Sequence, residues 1–119
     1  MINARYQFPR NFLWGTATAS HQVEGENRNN DWWQWEHQTD RILHGHQSGD
    51  ACGWWHGMWS QDMDRAQDAF QNAHRLSLEW SRIEPHPAVW DENALEKYRE
   101  ILKGMHDRGI RPMVSLVHF

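Results

Sequence analysis

The feature that most constrains the fold of this chain is an alternation of strand-like and helix-like segments. Residues 12–19, 74–80 and 113–119 have the short apolar or alternating pattern of β-strands. Apolar residues at helical spacing follow Ser60 and, further on, Asp91. Strands that alternate with helices form βαβ units around a parallel sheet. The chain is therefore predicted to be an α/β protein with three parallel strands, two helices and a long loop after the first strand.

The periodicity also assigns faces within these segments. The first helix carries apolar residues three and four apart, namely Met63, Ala66, Phe70 and Ala73. The second strand alternates between two sides. Its polar side carries Arg75, Ser77 and Glu79, and its apolar side carries Leu76, Leu78 and Trp80. For the second helix, Asp91 is the predicted N-cap and Gly109 marks the end.

Composition and charge exclude several classes of protein. The 119 residues suffice for one domain, and the net charge of -4 leaves no basic stripe for phosphates, so no nucleic-acid partner is expected. No apolar run approaches the roughly 18 residues that span a bilayer, and residues 1–10 lack the apolar core of a secretory signal. Since Cys52 is the lone cysteine, no internal disulfide can form, and a cytoplasmic location is expected.

Tryptophan is unusually abundant, with 9 in the chain, and Trp32, Trp33 and Trp35 fall close together. One interpretation is a large aromatic core. The other is a carbohydrate-binding surface, because an indole offers an apolar face to the C–H face of a sugar and an N–H donor to its hydroxyls. The surrounding segment, residues 27–57, is irregular and longer than most loops of compact domains, which is typical of a functional or disordered loop.

Polar side chains accompany each predicted strand. Gln22 follows the first strand, Arg75 lies on the second, and His118 stands at the end of the third. Because ligands of parallel α/β proteins bind at the carboxyl ends of the strands, these side chains are predicted to share one rim. Each has an ordinary alternative: a loop amide for Gln22, an ion pair with Glu79 for Arg75, and a hydrogen-bonded strand-end histidine for His118.

Histidine is as abundant as tryptophan, and His44, His46 and His56 raise the alternative of a metal site. The His-x-His spacing supplies two imidazoles, but no cysteine or acidic ligand set completes a coordination shell. A solvated histidine-rich loop is the favoured interpretation, and neither a metal nor another cofactor is expected.

Three stretches carry a family resemblance: FLWGTATASHQVEGE at residues 12–26, HRLSLEWSRIEP at 74–85 and RPMVSLVHF at 111–119. They resemble the N-terminal signature and the second- and third-strand motifs of glycoside hydrolase family 1, the β-glucosidase and β-galactosidase family. The motifs occur in the family's order and spacing over nearly the whole chain. Two departures are Val117, where the family usually has His or Tyr, and residues 53–55, where it has an Asp-containing segment.

The resemblance implies a (β/α)8 TIM barrel and assigns roles to the matching residues. Gln22 and His118 would hydrogen-bond hydroxyls of the sugar in the cleavage subsite, a role that suits an amide and an imidazole. Arg75 would orient the catalytic nucleophile and keep it ionised, because a nearby positive charge lowers the pKa of a carboxylate. Trp33 is the candidate for an aromatic residue lining this subsite.

The two carboxylates that a retaining glycosidase needs are missing from this sequence. They stand about 5–5.5 Å apart and act as acid/base and nucleophile. The family carries them after its fourth and seventh strands, in Asn-Glu-Pro and Glu-Asn-Gly contexts that do not occur here. Nothing in the spacing makes a catalytic pair of Glu24, Glu26 and Glu79. Glu24 and Arg82, which match the family motifs, are instead expected to have structural roles.

These expectations place the chain within a larger protein. A TIM barrel has eight βα units and ~250 residues, so residues 1–119 are expected to be the N-terminal part of one barrel domain, truncated after strand three. The expected function is that of a retaining β-glycosidase acting on a small β-glycoside or oligosaccharide, with this chain inert by itself. A non-enzymatic carbohydrate-binding fragment is the alternative. Exposed sheet edges would permit self-association.

Overall fold

A computed structural model describes residues 6–48 and 52–118, and its centre is a three-stranded parallel sheet. The strands are β1, Gly15–Thr18; β2, Ala73–Ser77; and β3, Arg111–Ser115. Their spatial order is β1-β2-β3, and both neighbouring pairs run parallel. The predicted α/β class and the three parallel strands are therefore confirmed.

Helices connect the strands. They are α1, Ser20–Val23; α2, Asp31–Glu36; α3, Trp59–Asp68; α4, Trp80–Ile83; and α5, Glu92–Asp107. Two single turns of 3-10 helix, Leu43–Gly45 and Trp54–His56, lie between α2 and α3. The two long helices are the predicted ones, whereas the segment predicted to be irregular contains α2 and both turns. Within the described ranges, no helix is long and apolar enough to cross a membrane.

The ends of α5 are set by the two residues that the sequence pattern indicated. Asp91 Oδ1 accepts hydrogen bonds from the backbone N–H groups of Asn93 (2.9 Å) and Ala94 (3.2 Å), so Asp91 is the N-cap. At the other end, Gly109 takes the left-handed φ of 72° that ends a helix at no steric cost. Both boundary predictions are confirmed.

Helix α3 ends earlier than the apolar spacing predicted. The Phe70 N–H donates to Gln67 O, and Phe70 takes a left-handed φ of 59°, which closes the helix. Phe70 is 91% exposed, and Ala73 belongs to β2. Only Met63 and Ala66 of the predicted apolar face are buried.

The predicted first strand, residues 12–19, was too long, and β1 is largely exposed. β1 begins only at Gly15. Just before it, Trp14 N donates to Asn72 Oδ1 at 2.7 Å, while the Trp14 carbonyl accepts from the backbone N–H groups of Asn72 and Ala73. Phe8, Phe12 and Trp14 form a half-exposed aromatic cluster with ring centroids 4.6 to 4.8 Å apart.

The other two strands also differ at their ends. β2 stops at Ser77 because the Glu79 side chain accepts from the Ser81 N–H and starts α4. Trp80 therefore lies on a helix and is 42% exposed, contrary to its predicted place on the apolar side of a strand. β3 begins at Arg111, earlier than predicted, and ends before His118; Phe119, predicted to end the strand, lies outside the described residues.

In the described part of the chain the sheet has one face covered by helices. Leu76 of β2 is buried in a core built chiefly by α3 and α5, which includes Met63, Tyr98, Ile101 and Met105. The register aligns Ala17, Arg75 and Met113 across the three strands. Since alternate residues of a strand point to opposite faces, Arg75 points away from this core, on the face where Met113 is 58% exposed.

His74 fastens β1 to β2 on the covered face. Its Nδ1 lies 3.0 Å from Thr16 Oγ1 and its Nε2 lies 3.1 Å from Thr18 Oγ1. Burial lowers the pKa of His74, so the neutral ring, with one donor and one acceptor nitrogen, is favoured. The two hydroxyls satisfy both nitrogens and hold the first two strands side by side.

We predict that Gly104→Ala destabilises the protein, although alanine is the better helix former. A Cβ at Gly104 would lie 2.2 Å from Trp59 Cη2 and 2.3 Å from its Cζ3. Overpacking of this kind costs about 1–3 kcal/mol, which exceeds the gain of about 1 kcal/mol in helix propensity. Urea denaturation should show a lower midpoint, while Lys103→Ala on the exposed side of α5 should change it little. A higher midpoint for Gly104→Ala would contradict the packing described here.

Candidate functional site

Two of the predicted site residues, Gln22 and His118, lie beyond the carboxyl ends of the strands. Gln22 is exposed on α1, which follows the carboxyl end of β1, and His118 follows the carboxyl end of β3. Arg75 lies between them on β2 and points to the face away from the core. The parallel order of the strands brings the amide and the imidazole to the same end of the fold, whereas Arg75 is the middle residue of β2, aligned with Ala17 and Met113.

Two cavities open at this rim. The first has a volume of about 310 Å³ and is lined by Gln22 together with His21, Trp32, Glu36 and Ser48, among others. The second is lined by His118 together with Asn30, Trp32, Glu79 and Trp80, among others. Gln22 and His118 thus line different cavities, and Trp32 lines both. Neither Arg75 nor Trp33 is among the residues lining these two cavities.

Trp32, the neighbour of the predicted Trp33, lines both cavities, and Trp33 lines neither. Trp33 is half-buried against His37, with ring centroids 3.9 Å apart, and the Arg28 guanidinium lies 5.5 Å from its ring. Trp32 is 40% exposed at the two cavities. Adjacent residues of a helix point in different directions, so Trp32 and Trp33 have different surroundings. The role of Trp33 stays a prediction, and Trp32 is a further candidate from the same tryptophan cluster.

A buried pair of ionisable side chains forms the floor of the Gln22 cavity. His21 Nε2 lies 3.3 Å from Glu36 Oε2, close enough for charge attraction but not aligned as a hydrogen bond. Ser48 donates to Glu36 Oε2 from its backbone N–H (2.8 Å) and its hydroxyl (3.2 Å). Asn30 Nδ2 lies 3.2 Å from His21 Nδ1. These contacts tie α1 to α2 beneath the exposed amide of Gln22.

Glu24 and Arg82 form a buried ion pair behind the rim, in keeping with the structural roles assigned to them. Arg82 Nε donates to Glu24 Oε2 at 2.9 Å, and Arg82 Nη2 donates to the Gly25 carbonyl. The Tyr98 hydroxyl donates to Glu24 Oε1 at 2.7 Å. Burial raises the pKa of Glu24 to about 7, against the lowering effects of Tyr98 and Arg82. The Arg82 guanidinium also lies over the Trp55 ring, 4.1 Å from its centroid.

The Glu79 carboxylate is occupied by donors from several parts of the chain. Its Oε2 accepts from Asn27 Nδ2 and Asn30 Nδ2, both at 2.9 Å, and from Ser20 Oγ at 3.4 Å. Its Oε1 accepts from the hydroxyl (2.8 Å) and backbone N–H (3.3 Å) of Ser81. Glu79 is therefore not the ion-pair partner of Arg75 that the sequence allowed.

The histidine-rich segment does not assemble the alternative metal site. The rings of His44 and His46 have centroids 5.9 Å apart, while His56 Nε2 lies 3.3 Å from Glu26 Oε2 at an exposed position. Over residues 6–48 and 52–118, no three His, Cys, Asp or Glu side chains come together as a metal-binding group.

A parallel sheet joined by helices, with Gln22 and His118 beyond the carboxyl ends of its strands, agrees with one part of a (β/α)8 barrel. A solved structure of a β-glucosidase from Thermotoga maritima in complex with castanospermine bears this out. It matches the present fold with a TM-score of 0.81 and 28% identity, over 93% of this chain and 26% of that one. The three strands are part of a TIM barrel, as the sequence predicted.

The chain belongs to glycosyl hydrolase family 1, whose sequence profile matches residues 4–119. It is 29% identical over 119 residues to β-glucosidase A of Thermotoga maritima, covering 95% of this chain and 26% of that protein. It is 32% identical over 117 residues to a bifunctional β-D-glucosidase/β-D-fucosidase of Bifidobacterium breve, covering 94% and 25%. The chain thus spans about a quarter of the length of these relatives, and the family resemblance drawn from its three motifs is confirmed.

We predict that Glu24→Gln changes how the free energy of unfolding varies with pH. Folded Glu24 keeps its proton up to about pH 7, whereas the unfolded side chain releases it near its usual pKa of 4.5. The folded state therefore binds more protons between these values, and the contribution of Glu24 to stability falls as the pH rises through this window, by an amount on the order of 3 kcal/mol. Above pH 7 both states are ionised and the fall ends.

Urea denaturation at pH 5, 6 and 7.5 would measure this effect as the difference between the wild type and Glu24→Gln. The free energy of unfolding of the wild type should fall relative to that of Glu24→Gln as the pH rises. As a control, Glu96→Gln removes one partner of an exposed ion pair with Arg99, and its free energy of unfolding should vary with pH as that of the wild type does. Parallel curves for Glu24→Gln as well would show that Glu24 titrates normally.

Proposed function

We propose that the protein to which this chain belongs is a retaining β-glycosidase, similar to a β-glucosidase, that hydrolyses terminal β-linked sugars from glycosides. The chain would form one part of a single barrel domain and contribute one wall of the sugar site. The observation that carries the proposal is the match of residues 4–119 to glycosyl hydrolase family 1, in a chain whose parallel strands lead to Gln22 and His118. The names of its relatives, a β-glucosidase and a β-glucosidase/β-fucosidase, agree with this reaction class.

Gln22 and His118 would bind the sugar that is cleaved. An amide offers a donor and an acceptor to neighbouring hydroxyls, and a neutral imidazole offers one of each. Both side chains are exposed at the rim, where a sugar could reach them. Trp32, between the two cavities, would present an apolar ring to the C–H face of the sugar. Trp33 remains the second aromatic candidate.

Arg75 would act on the nucleophile and not on the sugar. A guanidinium beside a carboxylate binds it in a forked geometry and favours its ionised form. Among the described residues, the Arg75 side chain forms no ion pair or hydrogen bond, and it is half-buried on the face away from the core. A charge held in this way needs an anionic partner, which the catalytic glutamate of a retaining enzyme would provide.

The chain by itself should be catalytically inert. Retaining hydrolysis needs two carboxylates about 5–5.5 Å apart, one of them free to attack the sugar. Glu24 is buried and paired with Arg82, and both carboxylate oxygens of Glu79 accept hydrogen bonds. Glu26 is exposed and lies beside His56. The remaining alternative is a carbohydrate-binding chain without enzymatic activity. Self-association through the sheet edges and a cytoplasmic location stay predictions.

An assay with an aryl β-glucoside tests the proposal directly. The 119-residue chain should give no turnover, whereas the full translated product of its gene should be active. In that product Gln22→Ala and His118→Ala should each lower kcat/KM about tenfold or more, because each removes a hydrogen bond that carries roughly 1.4 kcal/mol. Gln34→Ala and His106→Ala, at exposed helix positions, are the matched controls. Full activity in both site variants would refute the assigned roles.

The reading frame beyond residue 119 provides an independent test. The next βα unit should end its strand in an Asn-Glu-Pro context that supplies the acid/base glutamate, and a later strand should supply the nucleophile. If castanospermine binds the 119-residue chain but the full product hydrolyses no β-glycoside, the carbohydrate-binding alternative is correct and the enzymatic proposal fails.

A further inference from the structure

Glu79 is the point where three segments of the rim meet. Its carboxylate binds Ser20 at the start of α1, Asn27 and Asn30 in the segment before α2, and Ser81 in α4. Glu79 also lines the cavity of His118. A carboxylate has about four lone-pair directions, so the donors already present leave no acceptor capacity for a sugar hydroxyl. Glu79 can influence a bound sugar only through the residues that it holds.

The first of these residues controls α2. Asn30 donates to Glu79 Oε2, and its own Oδ1 accepts from the Trp33 N–H at 2.7 Å, which makes Asn30 the N-cap of that helix. The position of Asn30 therefore sets where α2 begins and where Trp32, on its first turn, stands between the two cavities. Release of Asn30 would loosen both the cap and the indole.

The second residue controls the approach to α1. The Ser20 backbone N–H donates to Ser77 Oγ at 2.9 Å, and the Ser20 hydroxyl lies 3.4 Å from Glu79 Oε2. These bonds join the first residue of α1, the helix that carries Gln22, to the carboxyl end of β2 and to Glu79 just beyond it. One carboxylate is thus connected to both sides of the rim.

The backbone of Glu79 is itself fixed by a hydrogen bond to the core. Its backbone N–H donates to the Tyr98 hydroxyl at 2.8 Å, and that hydroxyl donates to Glu24. Tyr98 is a residue of α5 whose side chain lies in the core and is 3% exposed. The carboxylate is therefore fixed to a rigid part of the fold, which a residue that positions others requires.

We infer that Glu79 is a positioning residue of the sugar wall, which sets the distance between Trp32 and Gln22 without touching the sugar. This inference rests on the proposed function, since it assigns Glu79 to the same site. Its consequence is kinetic: a displacement of about 1 Å in residues that hold a substrate can cost about 10²-fold in rate. The loss should exceed what the stability of the fold explains.

The test compares Glu79→Ala, Glu79→Gln and Asp91→Ala in the full translated product, at a temperature where circular dichroism shows all of them folded. Glu79→Ala should lower kcat/KM for an aryl β-glucoside about 10²-fold and weaken castanospermine binding. Glu79→Gln should recover part of the loss, because its carbonyl can still accept from Asn27 and Asn30 and its amide can donate to the Ser81 hydroxyl, whereas the Ser81 backbone N–H loses its acceptor. Asp91→Ala removes a capping carboxylate of the same kind, from α5, and should leave kcat/KM within about twofold.

Hydrogen exchange separates failure of this inference from failure of the proposed function. Exchange at the Trp33 amide should accelerate in Glu79→Ala and not in Asp91→Ala, whether or not the protein is an enzyme. Wild-type kcat/KM in Glu79→Ala, or an equal loss in Asp91→Ala, would overturn the inference while the β-glycosidase assignment stands. A wild-type product without any turnover would overturn the proposed function, and with it the role of Glu79 in a sugar site.

Discussion

The rim of this fold depends on the hydroxyl of one buried tyrosine. Tyr98 donates to Glu24 and accepts from the backbone of Glu79, so a single residue of α5 reaches both the turn after β1 and the end of β2. These bonds lie where water cannot replace them, and a lost partner would leave a polar group unsatisfied in the core. Arg82 completes the arrangement by neutralising Glu24. The cavities of Gln22 and His118 are carried by segments that these bonds hold in place.

Much of the fold followed from local pattern. Alternation of strand and helix periods was sufficient for the parallel sheet, and Asp91 and Gly109 marked the ends of α5 because capping and left-handed turns involve only near neighbours in sequence. The errors arose where a local structure ended an element that hydrophobicity would have continued. Phe70 closes α3 by its backbone conformation, and Glu79 starts a helix before Trp80 can extend β2.

The site was less accessible to sequence reasoning. Gln22 and His118 could be selected because strand ends and family motifs both mark them, and Arg75 because it lies on the polar side of a strand within a family motif. Glu79 could not, because its donors Asn27 and Asn30 are 52 and 49 residues away along the chain and only the folded sheet brings them together. The choice between Trp32 and Trp33 likewise depended on the direction of a short helix, which a cluster of tryptophans does not reveal.

The exposed turn at Phe70 lies at the end of the sheet that carries no site residue. This turn precedes the amino end of β2, so it lies at the opposite end of the strands from the cavities. Its form is fixed by backbone hydrogen bonds, while the aromatic ring itself faces solvent. A fluorophore or an immobilising linker attached at this position would therefore leave the mouth of the barrel unobstructed.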